Sequence, residues 1–140
     1  MNQELLKDGT IEELWAALAS MGSYKAPGPD GFTPFFFKTN WDTLKFDLPQ
    51  GSNSLLHGGL LPTNLNATNI VLIPKGKHPT QMSHFRLISL CNVMYHLFSK
   101  TIANRLKFFL PLLISESQSA FVAHRLIHDN ILLAMIFCMF

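Results

Sequence analysis

The sequence has few charged residues, few cysteines and no long hydrophobic run. Only 14% of its 140 residues are charged and 48% are apolar, which excludes a disordered chain and predicts a folded domain with a core. The longest apolar run, Ile131 to Phe140, is about half of a membrane-spanning helix. No basic segment followed by an apolar one stands at the N-terminus, so no secretory signal is expected. These absences predict an intracellular protein without a membrane span, and its compartment is left open.

Motifs of the common catalytic and metal centres are also missing. Cys91 and Cys138 stand far apart without a Cys-x-x-Cys pair, which argues against a disulfide framework or a zinc ribbon. No Asp-Asp dipeptide occurs, so the sequence shows no paired carboxylates of the kind that two-metal polymerases and nucleases need. His124 and His128 are four residues apart, but a third ligand is not evident. The sequence therefore assigns no catalytic residue and no metal ligand.

Positive charge is concentrated in the second half of the chain. The net charge of +2 is too small to indicate a polyanion partner by itself. In the second half, however, only Glu116 and Asp129 oppose the cations Lys75, Lys77, Arg86, Lys100, Arg105, Lys107 and Arg125. This half is therefore locally basic.

Local signals in the first half predict two helices and a break. Thr10 and Glu13 have the spacing of a capping box, so a helix is expected to begin there. Thr33 followed by Pro34 predicts the start of a second helix, because proline is favoured in the first turn. The proline and glycine within residues 48–53 predict that any helix through this segment ends or is interrupted.

Two short apolar runs predict an antiparallel β-hairpin. They are Asn69 to Ile73 and Phe85 to Leu90, and the basic loop between them is too polar to be buried. A hairpin brings its two ends together, so Lys75 and Arg86 could converge on one polyphosphate. The alternative interpretation is two solvated cations that flank a loop.

After the hairpin, a helix is predicted from Asn92, as N-cap, to Leu110, where Pro111 would end it. Lys100 and Lys107 fall on its polar face, where they could contact a nucleic-acid backbone or simply keep the surface soluble. A last helix is expected to begin near Asp129. Helices combined with a short antiparallel hairpin predict the α+β class.

Five segments, taken in order, resemble reverse transcriptases of plant LINE-type (non-LTR) retrotransposons. The resemblance extends from about residue 11 to residue 133, and the five motifs are specific together although each alone is weak. They are KAPGPDGF (Lys25 to Phe32), IVLIPK (Ile70 to Lys75), FRLISLCNVMY (Phe85 to Tyr95), SKTIANRLK (Ser99 to Lys107) and ISESQSAFVAHRLIHDNIL (Ile114 to Leu132).

The resemblance implies the fingers region and the start of the palm of a right-hand RNA-directed DNA polymerase, as one partial domain over residues 1–140. It implies that Lys75 and Arg86 hold the triphosphate of an incoming deoxynucleotide. Gln118 and Arg125 are expected near the RNA template and DNA primer, and Lys25 is expected to face the template. No membrane partner is implied.

The chain also departs from the family pattern. Leu87 stands where the family has proline, His124 stands where it has glycine, and Pro49 and Gly51 fall in a segment that is normally helical. The family's catalytic aspartates would follow Phe140. The chain is therefore predicted to be a truncated fragment that is inactive alone, with Mg²⁺ expected only for the full-length family and with a missing palm segment as a possible partner. A residual RNA- or nucleotide-binding module and a non-functional, pseudogene-like product are the alternatives.

Overall fold

The computed structural model describes residues 2–60, 62–115 and 118. Their mixture of helices and one antiparallel strand pair is compatible with the α+β class. In chain order the elements are α1 (Asn2–Leu5), α2 (Ile11–Ala19), α3 (Pro34–Thr39), α4 (Trp41–Leu44), α5 (Leu48–Leu56), β1 (Thr68–Pro74), a 3-10 turn (Met82–His84), β2 (Phe85–Cys91) and α6 (Val93–Leu113).

The chain divides into two compact units. Residues Leu6–Thr101 form the larger one, and the smaller one combines the first five residues with those from Ile102 onwards. This division does not test the expectation of a single partial domain over 1–140, which stays a prediction. Among the described residues, no helix has the length and apolar character needed to cross a membrane.

Helix α2 begins with the predicted capping box. The Glu13 amide donates to the Thr10 hydroxyl at 3.2 Å, and the Thr10 amide donates to the Glu13 carboxylate at 3.1 Å. These two bonds satisfy N–H groups that the start of a helix otherwise leaves open. Leu14, Ala17 and Leu18 are buried along one face. Helix α2 therefore supplies much of the core of the larger unit.

The C-terminal end of α2 is capped by a lysine from α3. The Lys38 ammonium donates to the Ala19 carbonyl at 3.1 Å, to the Met21 carbonyl at 2.6 Å and to the Ser23 hydroxyl at 3.2 Å. A cation is favourable here because the last carbonyls of a helix carry partial negative charge. The partners lie 15 to 19 residues away along the chain, so the local sequence does not predict this contact.

The segment predicted to interrupt helical structure is itself helical. Helix α5 contains both Pro49 and Gly51, so the predicted interruption is wrong. Pro49 lies in the first turn, where its missing N–H would have no helical partner in any case. A Cβ at Gly51 would lie 3.3 Å from the end of the Phe98 ring, so glycine permits close packing at this point. The break falls earlier, between α4 and α5.

The core of the larger unit is built from helices. Four of the described helices, α2, α3, α5 and α6, supply its buried side chains, and α4 packs against them, while the strands supply no buried side chain. The buried apolar residues are Leu14, Ala17, Leu18, Phe37, Leu48, Val93, Leu97 and Phe98, and Met21, Trp41, Leu44, Leu55, Leu65 and Met94 pack against them.

Strands β1 and β2 form the predicted antiparallel hairpin. Thr68 pairs with Cys91 at the open end, and Pro74 pairs with Phe85 next to the loop. Every residue of β1 is exposed, and β2 is half-buried only at its ends. Because successive side chains point to opposite faces, both faces of the hairpin present apolar side chains to solvent.

Helix α6 extends past the predicted end. The sequence predicts an end at Leu110, but α6 continues through Pro111 to Leu113. Proline removes one helical N–H bond, and the exposed last turn allows water to satisfy the carbonyl that loses it. The turn is nevertheless completed, because the Ile114 amide donates to the Leu110 carbonyl at 3.0 Å.

In the smaller unit, the described residues comprise α1 and the later part of α6. The Arg105 guanidinium donates from Nη1 to the Leu5 carbonyl at 3.1 Å. Leu5 is the last residue of α1, so this bond satisfies a carbonyl that a helix end leaves open.

Candidate functional site

The hairpin brings Lys75 and Arg86 to the same end of the strand pair. The pairing ends with Pro74 opposite Phe85, and Arg86 pairs with Ile73. Lys75 directly follows β1, and its amide donates to the His84 carbonyl at 2.8 Å, beside this last pair. Lys75 and Arg86 therefore flank the hairpin loop at its two ends.

The Lys75 side chain also shapes the loop that follows β1. Its ammonium donates to the Ser83 carbonyl at 2.8 Å, across the loop, and a lysine ammonium has further N–H groups for a ligand. Beside it lies an open cavity of about 250 Å³, lined by Lys75, Gly76, His78, Pro79 and His84. Arg86 is not among these lining residues.

Two histidines in this loop, His78 and His84, are not among the residues predicted from the sequence to form a site. His84 Nδ1 accepts from the Thr80 amide at 3.2 Å, so the neutral ring carries its proton on Nε2 and can donate from there. His78 lines the same cavity. Their position in the loop between Lys75 and Arg86 was the available signal, and His84 is the residue directly before β2.

The hairpin carries positive charges without negative charges near them in the sequence. From residue 48 to residue 115 the sequence contains no aspartate or glutamate. The cations of the hairpin, Lys75, Lys77 and Arg86, are all exposed and have no carboxylate close to them in sequence. Charge-assisted N–H groups of this kind bind phosphate and carboxylate oxygens strongly, so the loop is suited to an anion.

Lys25 lies in a loop of fixed shape. In KAPGPDG, the Gly31 amide donates to the Gly28 carbonyl at 3.0 Å and closes a turn over Pro29 and Asp30. The Asp30 carboxylate accepts from the Phe32 amide at 3.1 Å, and Gly31 has φ 76°, a conformation that favours glycine. The loop is therefore a structured connection, as its density of proline and glycine predicts.

Asn92 fixes this loop to the open end of the hairpin. Its buried side-chain oxygen accepts from the Asp30 amide at 3.2 Å, and its amide group donates to the carbonyls of Asn64 and Leu65 at 3.1 and 3.3 Å. Gly28 packs so closely here that a Cβ at this position would lie 2.5 Å from the backbone nitrogen of Asn92. Asn92 precedes α6, and its backbone carbonyl accepts from the His96 amide. Its side chain, however, forms its hydrogen bonds with the two loops.

Within the larger unit, the predicted residue Lys25 lies apart from Lys75 and Arg86. The loop containing Lys25 contacts the open end of the hairpin, while Lys75 and Arg86 lie at the opposite end, about 20 Å along the strands. On α6, Lys100 is half-buried and Lys107 is exposed.

The remaining predicted positions lie near or beyond the limit of the described chain. Gln118 is exposed, and its backbone amide donates to the Ser115 carbonyl at 3.0 Å. Arg125 and the helix expected near Asp129 lie outside the described residues. Within 2–60, 62–115 and 118, no group of three or more His, Cys, Asp or Glu side chains could hold a metal ion.

By fold and site, the described chain combines a small helical core with an exposed, basic β-hairpin. Over 124 residues it is 36% identical to the uncharacterized 149 kDa protein of transposon TX1 from Xenopus laevis. The match covers 89% of this chain and 10% of that protein, so the chain spans about a tenth of the length of this relative. No protein-family model matches the chain. The chain is thus similar to part of a transposon protein whose activity is not described by its name.

Proposed function

We propose that the chain is a fragment of a reverse-transcriptase-like polypeptide from a non-LTR retroelement of the LINE type, corresponding to the fingers and the start of the palm. The similarity to a transposon protein supports the retroelement origin. The order of the five sequence motifs supports the reverse-transcriptase part of the proposal, including the similarity to the plant members of that family. The parental activity is RNA-directed DNA polymerisation, and the role proposed for the residues of this chain is to bind substrate.

The hairpin loop is the proposed nucleotide site. The observation that carries this assignment is the position of Lys75 and Arg86 at the two ends of the hairpin loop, within a stretch of the chain that has no acidic residue. In the proposal, a triphosphate spans the space between these two cations. In this assignment Lys75 and the open Gly76 backbone hold one end of the triphosphate, and the Arg86 guanidinium binds another part with two parallel N–H groups.

The proposal concerns binding and orientation only. In the family that the motifs resemble, Mg²⁺ and the catalytic carboxylates carry the transfer step. The role assigned to this chain is to neutralise triphosphate charge and to fix the direction in which the nucleotide lies.

The test is isothermal titration calorimetry, in which a deoxynucleoside triphosphate is titrated into the purified 140-residue chain at low ionic strength. We expect Lys75→Ala and Arg86→Ala each to weaken binding about tenfold or more, since a hydrogen bond to a charged group contributes about 1.5–3 kcal/mol. Lys77→Ala is the matched control, because it removes an exposed cation from the same loop at the same change in net charge. It should change the affinity by less than about threefold.

Equal losses in all three variants would contradict the proposal, because they would mean that net charge alone attracts the triphosphate. The unphosphorylated deoxynucleoside should not bind measurably. Because Lys75 also hydrogen-bonds Ser83, circular dichroism of Lys75→Ala must match that of the parent chain. Arg86→Ala removes no contact of this kind, so it tests the site independently.

A further inference from the structure

Strand β1 is an exposed edge strand without a charged residue. Its sequence is TNIVLIP, and every one of its residues is exposed, with Ile70 at 68% and Val71 at 39%. In the part of the chain that the structure describes, β1 pairs with β2 alone. The N–H and C=O groups that point away from β2 therefore face solvent. An uncharged, apolar edge of this kind is a template on which another strand can pair.

The opposite edge of the hairpin, formed by β2, is less suitable for pairing. It carries the charged side chain of Arg86, and charged residues on an edge disfavour the addition of a strand. Strand β2 is also half-buried at both of its ends. The freer edge of the sheet is therefore β1.

The sequence of β1 is complementary to a second copy of itself. A two-fold axis through Val71 pairs two β1 strands antiparallel, because a two-fold axis normal to a sheet reverses strand direction. Val71 then faces Val71 of the second copy, and Ile70 faces Leu72 of the second copy. Pro74 has no N–H to donate, so the pairing extends over residues 69–73. In its centre, apolar side chains meet apolar side chains, a combination that stabilises a sheet.

The charges of the hairpin are compatible with this pairing. Lys75 faces the uncharged Ala67 of the second copy, since both lie four residues from the axis. The two Lys75 residues are then about 27 Å apart, because an antiparallel strand advances about 3.4 Å per residue. This separation exceeds the Debye length of about 8 Å at physiological ionic strength, so their repulsion is screened.

We propose that the chain forms a two-fold symmetric dimer in which the β1 strands of two copies pair antiparallel and join the two hairpins into one four-stranded sheet. The contact uses residues 69–73 of each copy, whereas a stable interface of standard size uses about 20–30 residues a side. The dimer is therefore weak and depends on protein concentration. The two hairpin loops lie at opposite ends of the sheet, so the inference does not depend on the proposed triphosphate site.

The first test is analytical ultracentrifugation of the full chain over a wide range of protein concentration. The parent chain should show a reversible equilibrium between monomer and dimer. Val71→Lys places two like charges directly opposite each other at the axis, and it should raise the dissociation constant about tenfold or more.

Ile88→Lys is the matched control. Ile88 pairs with Val71 within the hairpin and is equally exposed, at 40% against 39%. The two substitutions therefore change the same face of the sheet and the net charge by the same amount. In the dimer the two Ile88 residues are three strand spacings, about 14 Å, apart. Ile88→Lys should change the dissociation constant by less than about threefold, and circular dichroism of both variants must match that of the parent chain.

The second test measures the register by disulfide formation, in a chain that carries Cys91→Ser and Cys138→Ser. With Val71→Cys added, the two new thiols lie on directly opposite residues, whose Cα atoms are about 4.5–5.5 Å apart. This distance allows a disulfide, so mild oxidation in air should give a covalent dimer on non-reducing electrophoresis. With Ile88→Cys added instead, the Cα atoms are too far apart, and the chain should stay largely uncoupled.

A chain that stays monomeric at every concentration would leave the β1 edge to a partner of another kind, and this result would overturn the inference. Equal losses of self-association in Val71→Lys and Ile88→Lys, or equal coupling of the two cysteine variants, would also overturn it, because the contact would then not be centred on β1. Growth beyond the dimer would contradict the closed two-fold arrangement. Triphosphate binding by Lys75 and Arg86 is measured separately, so either proposal can fail while the other stands.

Discussion

At the scale of single residues, the buried amide of Asn92 connects three separate parts of the chain. It accepts from Asp30, 62 residues away, and donates to Asn64 and Leu65, 28 and 27 residues away. Its position before α6 predicts an N-cap, and the backbone does occupy that position. The side-chain partners could not be predicted, because the sequence shows no local pattern that relates them.

We expect Asn92→Ala to lower the free energy of unfolding by about 2–3 kcal/mol, because it removes three hydrogen bonds of a buried side chain, each of which contributes about 1 kcal/mol. Urea denaturation followed by circular dichroism measures this. The exposed Asn66, in the same connecting segment, provides the control, and Asn66→Ala should change stability by less than about 0.5 kcal/mol. Similar stabilities for the two variants would show that the Asn92 bonds contribute little.

At the scale of elements, helix starts are local features that a sequence specifies well. The capping box of α2 needs only Thr10 and Glu13, three residues apart, and both of its hydrogen bonds are present. Thr33 also precedes a helix as predicted, but its side chain makes no capping bond. The same residue type thus occupies two equivalent positions with different contacts.

This difference gives a paired test. Thr10→Ala should lower the free energy of unfolding by about 1 kcal/mol, since it removes a capping bond. Thr33→Ala removes none and should cost only a few tenths of that. Parallel urea titrations compare the two directly, and an equal or larger loss for Thr33→Ala would contradict the assigned role of the capping box.

At the scale of the whole molecule, stability is expected to be uneven. The core of the larger unit is helical, whereas every residue of β1 is exposed. Elements that bury little apolar surface open at a lower free energy than those that form the core. The hairpin, which carries the proposed triphosphate site, should therefore be less protected than α2.

Hydrogen exchange with mass spectrometry tests this expectation. Amides of α2 and of the first turns of α6 should exchange more slowly than those of β1 and β2, and a triphosphate should slow exchange in the hairpin. Uniformly fast exchange throughout the chain would favour the alternative of a pseudogene-like product that does not fold. Protection of the hairpin equal to that of α2, without ligand, would show that the expected order of stability is wrong.

The sequence by itself determined the features that depend on neighbours along the chain. These include the capping box, the antiparallel hairpin and its exposed basic loop, because hydrogen bonds within a few residues and alternating apolar patterns specify them. The candidate pair Lys75 and Arg86 also follows from the sequence, since a hairpin places both ends of its loop together.

Tertiary structure decided what depends on residues distant in sequence. Gly51, within α5, packs closely against the Phe98 ring. Lys38, which belongs to α3, donates hydrogen bonds at the C-terminal end of α2. The fold also separates Lys25 from Lys75, because Gly28 and Asn92 hold the KAPGPDG loop at the open end of the hairpin. Such contacts depend on the three-dimensional arrangement of the whole unit, and no local rule of composition or spacing encodes them.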